Sequence, residues 1–313
     1  MSMSSPTLPK IVVVTTGGTI ASVAHAGGAR HPEITGEKLI APIRQRFHDQ
    51  CTFEVRSVGV IDSSAMTFAT IDTIVTVCHE ALRDPTVTGV IVTHGTDSME
   101  ETAIALDTFH TDARPIVVTG SQEPFDSEHY DGYDNLADAV IVALDSSARN
   151  IGVLVTFGRA VLAARGMMKW HTRDFLGFAT NAPEEPERAE PVPVVPLEDI
   201  RVDIIYAYPG APRTLVDAAL AAGANGLVVE AMGAGNVGAE MAAALIDARE
   251  KNIPVVISTR VPRGEVNALY GGAGGGSTLK AHGVVGSRYF RSAQARVLLA
   301  IAIASGRVPE TLF

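Results

Sequence analysis

Cysteine is almost absent from this sequence: of 313 residues, only Cys51 and Cys78 carry thiols. Two thiols cannot build a disulfide framework. With no CxxC pair and no histidine at ligand spacing, they suggest no zinc site either. The expectation is two buried thiols in a reducing compartment. Basic residues are also in deficit, with 25 Lys and Arg against 35 Asp and Glu, a formal charge of −10. Phosphate binding needs a dense basic face, and no run of Lys or Arg occurs, so a nucleic acid is not an expected partner. A small anionic substrate stays open, because a local site can be positive in a negative protein. Long apolar runs are missing as well. The longest, 297–304, falls far short of the roughly 20 residues that span a bilayer. Residues 1–10 hold no apolar signal core. A soluble cytoplasmic protein with no membrane partner is therefore expected. Internal repeats and coiled-coil patterning are absent too. The tract GGAGGG at 271–276 lacks the Lys-Ser/Thr of a phosphate loop and reads as a flexible turn or a close backbone approach.

What the sequence does have is a core. Hydrophobic residues make up 46% and charged residues 19%, the profile of a compact folded protein. Short Val- and Ile-rich runs recur at 11–16, 89–93, 115–120, 151–157, 202–208, 226–230 and 254–259. Continuous apolar strands of this kind suit a parallel sheet covered on both faces. Amphipathic helices are predicted between them at 99–109, 135–144, 214–222 and 239–250. The alternation predicts right-handed βαβ units and an α/β fold. The stretch NAPEEPERAEPVPVVP at 181–196 has prolines at 183, 186, 191, 193 and 196, a density that excludes a helix and favours an extended connector. The predicted organisation is a larger N-terminal α/β domain (1–180), a proline-rich linker (181–202) and a smaller C-terminal α/β domain (203–313), both with largely parallel sheets.

In open parallel sheets the ligand site lies beyond the carboxyl ends of the strands. Here those ends carry hydroxyls repeatedly: Thr15 and Thr16, then Thr93 through Ser98, then Thr119 and Ser121. A polar, uncharged, hydroxyl-rich cleft is the reading. The first cluster, TTGGTIAS at 15–22, sets a hydroxyl beside two glycines whose backbone amides can approach a ligand closely. It lacks the GxGxxG spacing of a dinucleotide loop and suits a nucleophile next to an oxyanion-binding backbone. In the second, THGTDSMEET at 93–102, Ser98 and Glu101 are predicted to form a helix capping box. His94 is read as a hydrogen-bonded structural residue before it is read as a base. Thr96 and Asp97 lie in a strand-to-helix loop, where a polar pair has no packing reason to be. In the third cluster, ARGMMKWHTRD at 164–174, Lys169 has Met167, Met168 and Trp170 as neighbours. A lysine partly desolvated by them can act as a proton acceptor, although this cluster taken alone reads first as a surface lysine lying over apolar neighbours.

Together these segments resemble the bacterial-type L-asparaginase and glutaminase-asparaginase family, whose hallmarks are TGGTIA in the first strand region and HGTD about eighty residues later. Here they stand at 16–21 and 94–97, followed by TGSQ (119–122), DGYDNL (131–136), GAGN (233–236), STRVPRG (258–264) and QARVLL (294–299). The resemblance implies a hydrolase of L-asparagine with no metal or other cofactor, and a homo-oligomer that is a dimer or dimer of dimers. It implies catalytic roles for Thr16, Thr96, Asp97 and Lys169. It also implies substrate contacts from Ser63 and Ser64 to an α-carboxylate, from Asp97 to an α-ammonium, from Gly95 and Ser121, and from Asn236 across a subunit interface. Two family features are missing. Residues 21–40 contain no tyrosine, offering His25 and His31 instead, and the glutamate many members carry after RVPRG is replaced by the glycine-rich tract. Rival expectations are a non-catalytic amino-acid-binding protein of the same fold, a hydrolase of another small amide and a dinucleotide-dependent enzyme. An amidotransferase subunit acting on glutamyl-tRNA would carry an extra domain before the first strand.

Overall fold

The structure is a computed structural model that describes residues 8–25, 27–184 and 187–313. Glu185 and Pro186, inside the proline-rich stretch, lie outside the described residues. The chain divides into two compact units. The first comprises the described residues up to Ala164 together with Lys169–Ala179, and the second comprises Arg165–Met168 and Thr180–Phe313.

The first unit runs β1 (Lys10–Gly17), β2 (Ser22–Ala24), β3 (Arg30–Pro32), α1 (Gly36–Arg46), β4 (Thr52–Ile61), α2 (Phe68–Leu82) and β5 (Val87–Thr93). It continues with α3 (Met99–Phe109), β6 (Ile116–Thr119), α4 (Gly132–Leu144), β7 (Val153–Phe157) and β8 (Ala160–Ala163). Its main sheet has the order β4-β1-β5-β6-β7-β8. The first five strands of that order pair in parallel and β8 returns antiparallel on β7. Ile11, Val13, Ile91 and Val117 pack with Leu39, Ile40 and Ile43 of α1 and with Leu136 and Val140 of α4. Burial on both faces is why these strands read as unbroken apolar runs. Two short strands follow, β9 (Met167–Lys169) and β10 (Phe178–Thr180), which pair with each other.

In the second unit β11 (Val202–Tyr206), α5 (Thr214–Ala221), β12 (Gly226–Ala231), α6 (Ala239–Glu250), β13 (Val255–Thr259), α7 (Gly276–Ala281), β14 (Val285–Gly286) and α8 (Ser292–Ser305) follow one another. Its four strands pair in parallel in the order β11-β12-β13-β14. The two-domain α/β architecture with largely parallel sheets is the one the sequence predicts. The apolar run 297–304 falls within α8, and no helix among the described residues is long and apolar enough to cross a membrane. Cys51 and Cys78 are both buried, and burial pushes their thiols up to about 11 and about 12, which keeps them protonated and unreactive.

Candidate active site

The site forms at the carboxyl ends of two neighbouring strands, β1 and β5, where Thr15 stands opposite Thr93 in the parallel register. Thr16, one residue further, is fully buried, and its hydroxyl donates to the Thr93 carbonyl at 3.0 Å. Gly17 and Gly18 then turn the chain with φ of 99° and 77°, a region in which residues with a side chain are strained. Gly18 has a second reason to be glycine. A Cβ there would lie 2.3 Å from Cα of Gly95, so the loops after β1 and β5 meet backbone against backbone.

The loop after β5 carries the charged groups. Thr96 is buried and Asp97 exposed. Lys169, at the end of β9, donates from Nζ to Thr96 Oγ1 at 2.8 Å and to Asp97 Oδ1 at 2.7 Å. One ammonium group thus links a hydroxyl to a carboxylate. The other end of Lys169 is held too, since its main-chain N–H donates to Glu100 Oε2 at 2.6 Å. Burial, aided by the negative charge of Glu101, pushes the Glu100 carboxyl up to about 8 against the opposing pull of Lys169. The loop after β5 therefore grips Lys169 at its tip, and the first turn of α3 grips it at its backbone. Glu100 was not among the residues singled out from sequence. An acid in a first helical turn is ordinary for dipole reasons, and that masks its contact with a strand 69 residues away.

Ser98 is the N-cap residue of α3, but it makes no side-chain cap hydrogen bond. Its hydroxyl donates instead to the Ser63 carbonyl at 2.6 Å, so the predicted capping box with Glu101 is not made. The loop is tied sideways to the turn after β4 rather than to its own helix. Ser63 completes that tie: its buried Oγ accepts the Asp97 N–H at 3.2 Å. Ser64, next to it, is exposed. Gly95 packs so closely that a Cβ would meet Ser63 Oγ at 2.5 Å. Ser121 is buried after β6, and its hydroxyl donates to the Glu123 carbonyl at 2.7 Å.

Ser63, Gly95, Thr96, Asp97 and Lys169 are thus joined through contacts within one unit, and Thr16 is tied to the same strand end through the Thr93 carbonyl. Asn236 belongs to the second unit. There its main-chain N–H donates to the Met232 carbonyl at 2.9 Å, and its Oδ1 accepts the Gly276 N–H at 3.2 Å. The glycine-rich tract is a close backbone approach, since a Cβ on Gly274 would meet the Val237 carbonyl beside Asn236.

The loop beyond Thr16 forms the β2–β3 hairpin, and its histidines engage each other. His25 Nε2 lies 2.7 Å from Glu33 Oε1, and its ring meets His31 edge-on at 5.4 Å. A tyrosine does reach this loop from elsewhere, as the Tyr130 hydroxyl donates to the Ile20 carbonyl at 2.8 Å. Among the described residues no group of three or more His, Cys, Asp or Glu could hold a metal ion.

Comparison with known proteins covers both units. Residues 10–191 match the family described as "Asparaginase, N-terminal" and residues 201–312 the "Glutaminase/Asparaginase C-terminal domain". An L-asparaginase of Bacillus licheniformis is 30% identical over 95% of this chain and 96% of its own length. A glutaminase-asparaginase of Pseudomonas aeruginosa is 31% identical over 82% of this chain and 77% of its own. Among solved structures, the probable cytoplasmic L-asparaginase of Campylobacter jejuni superposes with a TM-score of 0.86 at 26% identity, covering 97% of this chain and 98% of that one.

Proposed function

The chain belongs to the asparaginase family, and on that premise we propose that it hydrolyses L-asparagine to L-aspartate and ammonia, with some action on L-glutamine. The observation that carries the reading is the Asp97–Lys169–Thr96 chain, closed at 2.7 and 2.8 Å beside the Thr16 loop. A pure binding site for an amino acid would have use for Ser63 and Asp97, but none for a lysine bridging to a threonine hydroxyl.

Acyl transfer from the substrate's side-chain amide is the chemistry these groups support. Thr16 Oγ adds to the amide carbon, its proton passes to the departing nitrogen, and the C–N bond breaks to release ammonia. Water then adds to the Thr16 ester: Lys169 gives one proton to the departing Thr16 oxygen and, as the amine so formed, takes the water's proton through the Thr96 hydroxyl. The ester C–O bond breaks and Thr16 regains its hydroxyl. Backbone N–H groups around Gly17 and Gly95 serve the oxyanion. Among the described residues the Thr96 N–H donates to no protein acceptor, so it is available for this role. Ser63 and Ser64 take the α-carboxylate and the exposed Asp97 the α-ammonium, and this charge pairing selects an amino acid over a simple amide. Ser121 and Gly95 line the cleft, and Asn236 reaches the site from a neighbouring copy in a dimer or dimer of dimers. A cytoplasmic location rests on the likeness to the Campylobacter jejuni protein, and the proline-rich stretch 181–202 serves as the interdomain linker.

A second reading has an observation in its favour. The Thr16 hydroxyl donates to a carbonyl, which cannot act as its base, whereas Thr96 touches Lys169. Water activated at Thr96 and attacking the amide directly, with Thr16 assisting, fits that difference.

Purified protein without added metal or nucleotide is expected to release ammonia from L-asparagine, with L-glutamine and D-asparagine run in parallel. Release from L-asparagine should vanish in Thr16→Ala and in Lys169→Met. A folded wild-type protein that releases ammonia from none of the three would overturn the reading.

A further inference from the structure

We propose that His94 and Thr102 form a positioning pair that fixes the Gly95–Thr96 peptide, and through it the hydroxyl and N–H of Thr96. The inference rests on the amidohydrolase reading for its consequence, but not for its geometry. His94 is fully buried at the end of β5, and both its ring nitrogens are engaged. Nδ1 lies 2.7 Å from the Gly95 carbonyl and Nε2 2.9 Å from Thr102 Oγ1. A carbonyl oxygen can only accept, so Nδ1 carries the hydrogen. Burial pushes the imidazole down to about 4, so at neutral pH the ring holds that one proton and no other. Nε2 is then a bare acceptor and the fully buried Thr102 hydroxyl is its donor. The direction of the whole relay follows: Thr102 donates to His94, and His94 donates to Gly95.

The relay matters because of what it holds. Gly95 has no side chain to lodge it, and glycine is the residue with the most backbone freedom. Its neighbours leave no room for a Cβ, with Ser63 Oγ on one side and Gly18 on the other. The loop therefore cannot be fixed by an ordinary side chain at this position, and the ring of the preceding residue takes over that task. No peptide bond among the described residues is cis, and in a trans peptide the C=O and N–H point in opposite directions. Holding the Gly95 oxygen on the buried ring thus turns the Thr96 N–H away from that ring, and it has no protein acceptor among the described residues. The same plane sets where Thr96 Oγ1 meets Lys169. With both nitrogens committed in this way, His94 is a positioning residue and not the base.

Two measurements test this. In protein labelled with 15N at histidine, long-range 1H–15N correlation at neutral pH should show His94 as a neutral ring protonated on Nδ1. Protonation on Nε2 would sink the proposal whatever the kinetics. Thr102→Val removes the donor at nearly constant volume and should lower kcat about tenfold with KM changed by less than about twofold, the scale of one buried hydrogen bond acting in the transition state. Thr102→Ser, which keeps a hydroxyl, should restore kcat. A folded Thr102→Val protein with wild-type kcat overturns the proposal. If Thr102→Val does not fold, His94→Asn decides, because its amide can replace Nδ1–H. It should retain far more activity than His94→Leu, and equal loss in both would count against the relay. A wild type inactive on all three amides would fail the amidohydrolase reading and leave the tautomer measurement to decide this one.

Discussion

Two loops of the first unit start from paired residues and end in different chemistry. Thr15 and Thr93 are register partners, and each strand passes into a glycine-containing turn with a threonine beside it. After β1 the threonine hydroxyl is tied to a main-chain carbonyl, and its neighbours are backbone. After β5 the threonine meets an ammonium, which meets a carboxylate, and the lysine between them is anchored by Glu100. The difference teaches that acid–base equipment in this site is concentrated on one threonine. The other is oriented and buried, but no side-chain base contacts it among the described residues. A substrate, or a group from another copy, must therefore supply what Thr16 needs if Thr16 is to attack.

The sharpest way to break that comparison is to disable the equipped side and look for a trapped intermediate on the bare one. Thr96→Val removes the hydroxyl that meets Lys169 and is expected to cut steady-state turnover by about 10²–10⁴, the usual span for a proton-transfer group. If Thr16 attacks first, acid-quenched protein incubated with L-asparagine should carry an aspartyl ester on the peptide containing Thr16, visible by mass spectrometry. Lost turnover with no adduct would move the first nucleophilic step to the Thr96 side.

A smaller effect is expected from loosening the tie between the equipped loop and the turn after β4. Ser63→Ala removes the acceptor of the Asp97 N–H, a hydrogen bond of about 1 kcal/mol or about fivefold. If Ser63 also grips the substrate, KM should rise well beyond that factor while the melting temperature barely changes. A change confined to stability would make Ser63 a brace for the Asp97 loop and nothing more.

Much of this was readable in the chain before folding. The central strands announce themselves because both their faces are buried, and α3 and α6 coincide with the predicted helices 99–109 and 239–250. Other elements stayed hidden for physical reasons. The sequence FATIDTIVTVCHEAL of α2 is rich in β-branched residues, which favour strands. It is helical because Ile71, Ile74, Val75 and Cys78 turn a buried face inward. Pro42 lies inside the continuous helix α1, and a proline inside a helical pattern argues against one. The edge strand β4 is only half-buried along most of its length, so it lacks the continuous apolar signature of its neighbours. Within the site, motif spacing found the residues, but not their bonds. That Ser98 braces Ser63, that His94 holds Gly95 and that Glu100 anchors Lys169 are contacts between segments far apart in the chain or fixed by ring orientation.

The least disruptive change probes that anchor. Glu100 titrates near 8 when folded, against an ordinary carboxylate value of 4.5. Between those values the folded protein keeps a proton that the unfolded chain has released. The stability tied to this group is therefore complete below about pH 4.5 and is lost as pH rises through about 8. Glu100→Gln retains an oxygen to accept the Lys169 N–H but cannot ionise beside Glu101. At neutral pH its turnover should stay within about twofold of wild type, because the anchor survives. Its melting temperature should gain on the wild type's as pH rises across that window. Parallel melting curves would mean that Glu100 is already ionised at neutral pH. Lys169 would then stand between two carboxylates, Asp97 and Glu100, and the contrast between the two threonine loops would be one of charge as well as of contacts.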